Sequence, residues 1–473
     1  MDEQEKIERR AHVRLIVTEV LMFLSVIALV GFLTLVVMGY SFNLREIGGE
    51  GEVIERSGLV QVSSLPTGAT IFVDGEAPLL FSTNASRTLI AEEHEIGLSK
   101  DGFLGWKKTV KVTEGMIYRL NYPRLFKEER EKEEVLTLSA APKLVSVSPN
   151  NERMLVEQAG ALYIIYLNEG KPEMKAVGTV GTDGNVVIFT TLQGAEWSGN
   201  SEKVLLKVNG EWAVIGVRDK SLVSLAGVGA KEVKFESEAG DRLLVLNEKK
   251  ELREFNVRDG KLSEVLVSGV EQFDNDGDRV VFLSEDGSLR AYRAGERETY
   301  EVMAEVSGAV KFATMRYFQE SYVAVVKGGE FKVYRKTGWP TADGEMEKVF
   351  EEEVGFKVTS VKKRGKGMVF ELLGSSEEGE ARNEVFDIEA MALTAVDVKD
   401  SGWVDEYLRY RLVSGKLSVF DYDGLNERVL VESGVLSGRV VAISGNNRWL
   451  YYFSSTIDEE GATHEKLVRE KIN

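Results

Sequence analysis

The sequence predicts an all-β protein behind one N-terminal transmembrane helix, its β region divided between a small antiparallel sandwich-like domain and a larger array of repeated strands. Three observations carry this reading. Val20–Tyr40 (VLMFLSVIALVGFLTLVVMGY) runs 21 residues without a charge. Short alternating strand patterns punctuated by Asp-Gly and Gly turns fill the rest of the chain, which holds only 7 prolines. Aromatic-led units recur at intervals of 38 or 39 residues from Trp197 onward.

The apolar run comes first. At 1.5 Å per residue it reaches about 30 Å, the hydrocarbon thickness of a bilayer. In lipid every backbone polar group must pair within its own segment, so the run must be helical. A cleaved signal peptide is the competitor, but its apolar region is shorter, about 7–15 residues, and ends at a small-x-small site. Here Met38-Gly39-Tyr40-Ser41-Phe42 follows, without such a site, and the chain has no cysteine for a lipid anchor. An uncleaved anchor over residues 15–40 is the preferred reading. Lys6, Arg9, Arg10 and Arg14 precede it, whereas only Arg45 and Arg56 lie within a comparable distance after it. Positive charge stays on the cytoplasmic side, which makes residues 1–14 a cytoplasmic head and puts the bulk outside.

Composition narrows the function classes. A net charge of −18, from 77 acidic against 59 basic residues, argues against binding nucleic acid. Zero cysteines leave each exported domain to be held by its own core. With only His12, His94 and His464, histidine metal sites and Ser-His-Asp chemistry have almost no raw material. No cofactor is expected.

Residues 41–57 (within them FNLREIGGEGEVIERS) carry mixed charge and glycines without a sustained period, and read as a short stalk. From Gly58 the pattern becomes β. Leu59–Val62 alternates, Pro66-Thr67-Gly68 turns, Ala69–Val73 forms a second strand, and Asp74-Gly75 closes a hairpin. His94–Ser99 and Trp106–Val112 continue the series, with Lys100-Asp101-Gly102 between them. His94, on an alternating strand with no ligand-spaced neighbours, reads as a packed side chain.

These residues resemble the PEGA domain, a small β-sandwich-like module of bacterial and archaeal surface proteins. The resemblance spans 58–122 and rests on Pro66-Thr67-Gly68-Ala69, on Asp74-Gly75, and on His94-x-Ile96-x-Leu98 leading into Gly102-Phe103. The chain departs from it at Glu76-Ala77-Pro78, where the family carries Gly-x-Thr-Pro. The resemblance implies a surface or interaction module and brings no catalytic residue. A charged stretch, 123–134 with its dense run Lys127–Glu134, reads as the linker leading out.

Beyond it the chain repeats. Trp197, Phe235, Phe273 and Phe312 mark four unit starts, and weaker ones fall near Val147, Val358, Trp403 and Ile443. All-strand repeats of this length indicate a β-propeller, one four-stranded blade per repeat, here over 135–473 with eight blades preferred and seven possible. A closed ring has no free edge, so Val135–Leu138 is expected to complete the last blade beside His464–Val468. The units look like degenerate WD-type or periplasmic propeller blades, without the Trp-Asp and Gly-His dipeptides.

Candidate chemistry is sparse. Asp274, Asp276 and Asp278 with Glu285 match part of a calcium-loop pattern, but Arg279 stands where that loop needs glycine, so a hairpin turn is the preferred reading. Ser284–Ser288 lacks the spacing of a sialidase Asp-box. Lys362–Lys366 reads as an exposed basic turn. No Gly-x-Ser-x-Gly or phosphate loop is present. The expectation is therefore a non-catalytic, membrane-anchored, extracytoplasmic binding or scaffolding protein recognising an envelope protein or a cell-wall polymer. The rival is a propeller hydrolase or lyase acting on wall sugars or peptides through acids at the central funnel.

Overall fold

The computed structural model describes residues 3–37, 40–42, 54–77, 82–167, 170, 172–177, 192–208, 210–295, 298–303, 310–338, 346–364, 368–397, 399–457 and 463–473. The chain divides into two compact units, Met1–Glu128 and Glu129–Asn473.

Unit 1 opens with one helix, Glu3–Val37. Its stretch Arg14–Leu35, 22 residues, is long and apolar enough to cross a membrane and buries nothing against protein. Side chains such as Phe23 and Leu21 stand exposed, as lipid-facing residues would. The few hydroxyls in the span turn back onto the helix: Thr18 bonds the Arg14 carbonyl at 2.9 Å, Ser25 that of Met22 at 2.7 Å and Thr34 that of Val30 at 2.8 Å. Helix begins well before the apolar run, because no Gly or Pro separates Glu3 from Arg14. It ends at Val37, short of the expected Tyr40, which instead starts the strand Tyr40–Phe42.

Among the described residues two sheets follow in unit 1. One holds Tyr40–Phe42, Ile54–Val62, Ala85–Ile90 and Ile117–Leu120; the other holds Thr70–Val73, Glu93–Ser99 and Trp106–Lys111. The stalk expectation is corrected at both ends, since Tyr40–Phe42 pairs with Ile54–Arg56 in the domain sheet; residues 43–53 lie outside those described. Among the described residues the antiparallel expectation holds except where Leu59–Val62 pairs in parallel with Ile117–Leu120 and Leu65 makes a parallel bridge to Arg124. Alternation builds the core. Trp106, Lys108 and Val110 face inward while Lys107, Thr109 and Lys111 face solvent. Lys108 sits on the buried face by bonding the Tyr122 hydroxyl at 2.8 Å.

The Asp74-Gly75 turn takes φ of +53° and +82°, the geometry of a two-residue hairpin, and Val73 and Glu76 exchange both backbone hydrogen bonds across it. The altered sequence after it leaves this hairpin intact. Asp74 then holds the neighbouring strand. Its carboxylate bonds His94 Nδ1 at 2.7 Å and accepts the Glu95 N–H at 2.9 Å, while His94 Nε2 faces the Ile90 carbonyl at 3.0 Å. The bond to His94, aided by the Glu95 N–H, holds the Asp74 carboxyl below its ordinary range against partial burial. A carboxyl depressed on folding stabilises the fold above its unfolded pKa, and that stability is lost as pH falls through the folded value. Asp74→Ala is expected to destabilise this domain by about 1–3 kcal/mol at neutral pH. Thermal unfolding of the domain would show it as an earlier transition, and an unchanged melt would mean that the clasp holds nothing.

In unit 2 the described residues form eight four-stranded sheets in succession. Their first strands are Leu144–Val147, Leu192–Trp197, Ala230–Phe235, Val270–Asp276, Val310–Tyr317, Lys357–Arg364, Ser401–Trp403 and Ala442–Ile443. All eight unit starts read from the sequence lie on or beside these strands. First strands of neighbouring sheets touch one another, as Val270–Asp276 touches Val310–Tyr317 and the latter touches Lys357–Arg364, so they are the innermost strands of a propeller. The cores lie between blades. Leu155 and Ile164 of the first pack with Trp197 and Val204 of the second, and Val281 and Leu283 of the fourth with Phe312 and Val323 of the fifth.

The ring closes as a strand exchange. Lys132–Thr137, from the start of the unit, pairs antiparallel with Thr463–Lys471 from its end and completes the eighth blade. Tyr451, Phe453 and Leu467 of that blade pack with Met154, Val156 and Ile165 of the first. The charged run is therefore not all linker. Lys132, Glu133 and Glu134 belong to the closing strand, where Glu133 meets Arg469 at 2.7 Å and Glu134 meets Lys466 at 2.7 Å. Their charges pair across the ladder, which a reading of one strand at a time takes for solvated linker. The stretch 178–191, within a region whose blade assignment the sequence leaves ambiguous, lies outside the described residues.

Candidate functional site

The inner strands decide what stands at the middle of the ring. Successive side chains on a strand point to opposite faces. Trp197, Val233 with Phe235, and Phe273 all enter the cores between blades. Glu196, Glu232 with Lys234, and Asp274 therefore stand on the opposite face of these innermost strands. Contacts between distant blades locate the same centre. Lys363, on the sixth blade, bonds the Asn275 carbonyl of the fourth and lies 3.5 Å from Asp276, passing the fifth blade to do so.

Most of this cluster is internally paired. Lys234 Nζ bonds the Phe273 carbonyl at 2.9 Å and Asp274 Oδ1 at 3.0 Å, and sits 3.3 Å from Glu232. Asp274 also accepts the Thr314 N–H from the fifth blade at 2.9 Å. Burial alone would raise Asp274, but Lys234, Lys363 and the Thr314 N–H outweigh it and hold the carboxyl low. Burial would likewise lower Lys234, yet Asp274 and Glu232 keep its ammonium above the ordinary range.

Glu196 differs. It is exposed to solvent, yet the protein around it keeps part of its surroundings from water. That enclosure raises its carboxyl above the ordinary range, with Asp274 and Glu232 adding to the rise and Lys234 and Lys363 opposing it. These neighbours act on it through charge alone; among the described residues none donates it a hydrogen bond. Among the described residues Glu196 is thus an accessible carboxyl to which no hydrogen bond is donated, beside the engaged cations Lys234 and Lys363.

The candidate calcium ligands are not brought together. The segment is a hairpin, Val270–Asp276 against Arg279–Ser284, with Asp276 opposite Arg279 and Val270 opposite Ser284. Glu285 thus lies at the far end from the turn, about 20 Å away at 3.3 Å per residue. Each carboxylate has its own cation: Asp274 has Lys234, Asp276 has Lys363, Asp278 has Arg293 at 2.7 Å, and Glu285 has Lys250 at 2.8 Å. Among the described residues no three His, Asp or Glu side chains are arranged to hold a metal. Ser284–Ser288 makes an ordinary turn in which Asp286 accepts the Ser288 N–H at 2.9 Å. The basic run also differs from an exposed turn, because Lys363 and Arg364 end an inner strand and serve as internal partners; residues 365–367 lie outside those described.

A repeated turn escaped the sequence reading. Ser148-Pro149-Asn150-Asn151, Ser198-Gly199-Asn200-Ser201 and Ser444-Gly445-Asn446-Asn447 each follow an inner strand. In each the serine hydroxyl donates to the asparagine side-chain oxygen at 2.7–2.8 Å, and the fourth residue takes φ between +55° and +61°. The turns also pass from blade to blade. The Gly445 N–H bonds the Asn151 carbonyl, the Asn150 N–H bonds Ser201 Oγ, and the Asn200 N–H bonds the Glu238 carbonyl. The signal was the recurrence of Ser-[Pro/Gly]-Asn. Ser198→Ala removes a fully buried hydroxyl that also accepts the Lys203 N–H at 2.9 Å. It is expected to destabilise unit 2 by about 1–2 kcal/mol, measured as a shift in the denaturant midpoint.

Residues 57–125 match the family model of the PEGA domain, and that segment is a PEGA domain. No curated protein matches the chain. Among solved structures the chain is similar to the C-terminal WD40 domain of Sif2, at 12% identity over 71% of this chain and 97% of that one, TM-score 0.44. It is similar to dipeptidyl peptidase 4 of Porphyromonas gingivalis, at 13% identity over 71% of this chain and 62% of that one, TM-score 0.45. It is also similar to the computationally designed Ika8 protein, at 14% identity over 71% of this chain and 99% of that one, TM-score 0.40.

Proposed function

We propose that this protein is a single-pass membrane protein, N-terminus inside, that holds a PEGA domain and a β-propeller outside the cytoplasmic membrane as binding or scaffolding modules of the cell envelope. The observation that carries the reading is the order of parts in one chain. A 22-residue apolar helix with no protein packed on it is followed by a surface-type domain and then a closed ring. The excess of Lys and Arg before the helix supports the orientation. A propeller held rigid by cores between its blades presents loops and a central opening, which suits recognition of a protein or a wall polymer.

The test is protease protection on intact cells or spheroplasts, with tags at both ends. Digestion of the C-terminal tag with survival of the N-terminal one is expected. Protection of the C-terminal tag until lysis would overturn the orientation. Crosslinked membranes should then yield an envelope protein or glycan with the chain, and recovery of neither would count against the scaffold role.

One observation favours a second reading, a hydrolase or lyase acting on wall sugars or peptides. Enclosure raises the Glu196 carboxyl, as a proton donor requires. That reading requires turnover of wall fragments by the purified chain and its loss in Glu196→Gln.

A further inference from the structure

We propose that the PEGA domain rests on the bilayer that its own helix crosses, with the exposed side chains of Met116, Ile117 and Ile90 seated in the lipid interface. This contact rests on the anchor reading above and adds a lipid-facing surface to it.

The path of the chain keeps the domain close to the apolar span. Only Met38 and Gly39 stand between the helix Glu3–Val37 and the strand Tyr40–Phe42, and Leu35, where the span ends, is five residues from Tyr40. Five residues reach at most about 18 Å, and the headgroup layer on each side of a bilayer is itself about 5–8 Å deep. Tyr40 pairs with Arg56, on the side of the strand Ile54–Val62 away from Ala85–Ile90. Along that same side the Gly115 N–H bonds the Ser57 carbonyl and the Leu59 N–H bonds the Met116 carbonyl, both at 2.9 Å. Met116 and Ile117 thus lie three residues along the strand from Tyr40, about 10 Å at 3.3 Å per residue.

The sheet face they share is apolar at this end. Residues paired across strands point to one face, which joins Ile90 opposite Ser57 to Thr88 and Ile117 opposite Leu59. Ile90 is 39% exposed, Ile117 40% and Met116 57%, so this apolar row has no protein over it. One row farther from Tyr40 the face turns polar, where Gln61 pairs with Ser86 and Arg119. The opposite face is core, with Val60 and Val62 buried. Among the described residues of the domain Leu65 is the other large apolar side chain so exposed, and it lies past the Val62 end of the strand. Exposed apolar surface therefore gathers where the chain arrives from the apolar span, and the bilayer is the apolar phase within reach of it. Arg56 at this edge is already paired with Glu114 at 2.9 Å, so burial of apolar side chains carries the contact rather than attraction to anionic headgroups.

The chain has no cysteine, so one introduced cysteine carries a label without background. Met116→Cys, Ile117→Cys and Lys107→Cys, each labelled with NBD in the full chain in phosphatidylcholine nanodiscs, would be quenched in turn by doxyl-labelled lipid and by aqueous iodide. Lys107 is exposed on the other sheet of the domain. Doxyl lipid is expected to cut emission from Met116→Cys and Ile117→Cys by about twofold or more and to spare Lys107→Cys, with iodide doing the reverse. Equal melting temperatures would show that the labelled variants fold. The proposal is overturned if iodide quenches the labels on Met116→Cys and Ile117→Cys as it does that on Lys107→Cys. It is equally overturned if neither quencher reaches them, because protein then covers the row. Leu24→Cys, inside the apolar span, separates the two readings. Doxyl quenching there without quenching at Met116→Cys and Ile117→Cys ends the surface contact and leaves the anchor standing, whereas its absence at Leu24→Cys ends the anchor itself.

Discussion

Glu371→Ala is expected to destabilise the propeller by about 3–5 kcal/mol, the range for removing one side of a buried ion pair. Glu371 lies on the second strand of the sixth blade with its side chain 2% exposed. It accepts hydrogen bonds from Asn383 at 2.5 Å and from the Trp403 indole at 2.9 Å, and it is paired with Arg364. Arg409 of the seventh blade, also 2% exposed, lies 4.0 Å away. Trp403 stands between the two guanidiniums, 5.2 Å from Arg364 and 4.8 Å from Arg409. Among the described residues Nε and Nη1 of Arg409 have no hydrogen-bond acceptor, and Glu371 lies 4.0 Å from Nη1 as compensation for that charge. Its removal leaves a buried cation without a counter-charge and unlocks two blades.

The pH dependence has a definite sign. Burial would raise the Glu371 carboxyl, but Arg364 and the bonds from Trp403 and Asn383 prevail and hold it below the ordinary range. A group depressed on folding stabilises the fold fully above its unfolded pKa and loses that contribution as pH falls through the folded one. The gap between wild type and Glu371→Ala should therefore be widest near neutral pH and close in acid. Denaturant midpoints at several pH values measure both. A loss below about 1 kcal/mol, the worth of an exposed pair, would mean that water reaches the network.

How far the sequence exposed this molecule depends on the range of the interaction involved. The apolar helix, the alternating strands of the PEGA domain and the aromatic starts of the blades are local patterns, each contained in a short window. Ring closure was legible as a requirement, because a sheet array without a partner for its last strand carries a free edge. Its register was not. Glu133 and Glu134 meet Arg469 and Lys466 more than 300 residues away, and in isolation they look like solvated charge. The central cluster was hidden for the same reason. Nothing near Glu196 in the chain tells that Lys234, Asp274 and Lys363 from three other blades act on it. The Asp274–Asp278 run shows the converse, because carboxylates close in sequence, spread along a strand and its turn, meet different cations brought from elsewhere in the fold.

Val135→Asp should cost unit 2 about 4 kcal/mol or more and open the ring, whereas Glu134→Ala should cost no more than about 0.5 kcal/mol. The two residues are neighbours on the closing strand with opposite surroundings. Val135 is 4% exposed and packs among Met154, Val156, Tyr451, Phe453 and Leu467, where a carboxylate finds no partner. Glu134 is 61% exposed and its pair with Lys466 is screened by solvent. An ordinary core defect would also lower stability, so the closure needs its own readout. Once Lys132–Thr137 is expelled, Thr463–Lys471 becomes a nine-residue free edge. Val135→Asp should then self-associate on size exclusion while Glu134→Ala does not. A wild-type peptide of residues 129–140 should restore the variant in trans, by about 2.7 kcal/mol at one hundred times its dissociation constant. The intact ring, with its edge already filled, should not respond to the peptide. Failure of the peptide to raise the variant's melting temperature would mean that the loss comes from the core alone, and that the eighth blade does not depend on its borrowed strand.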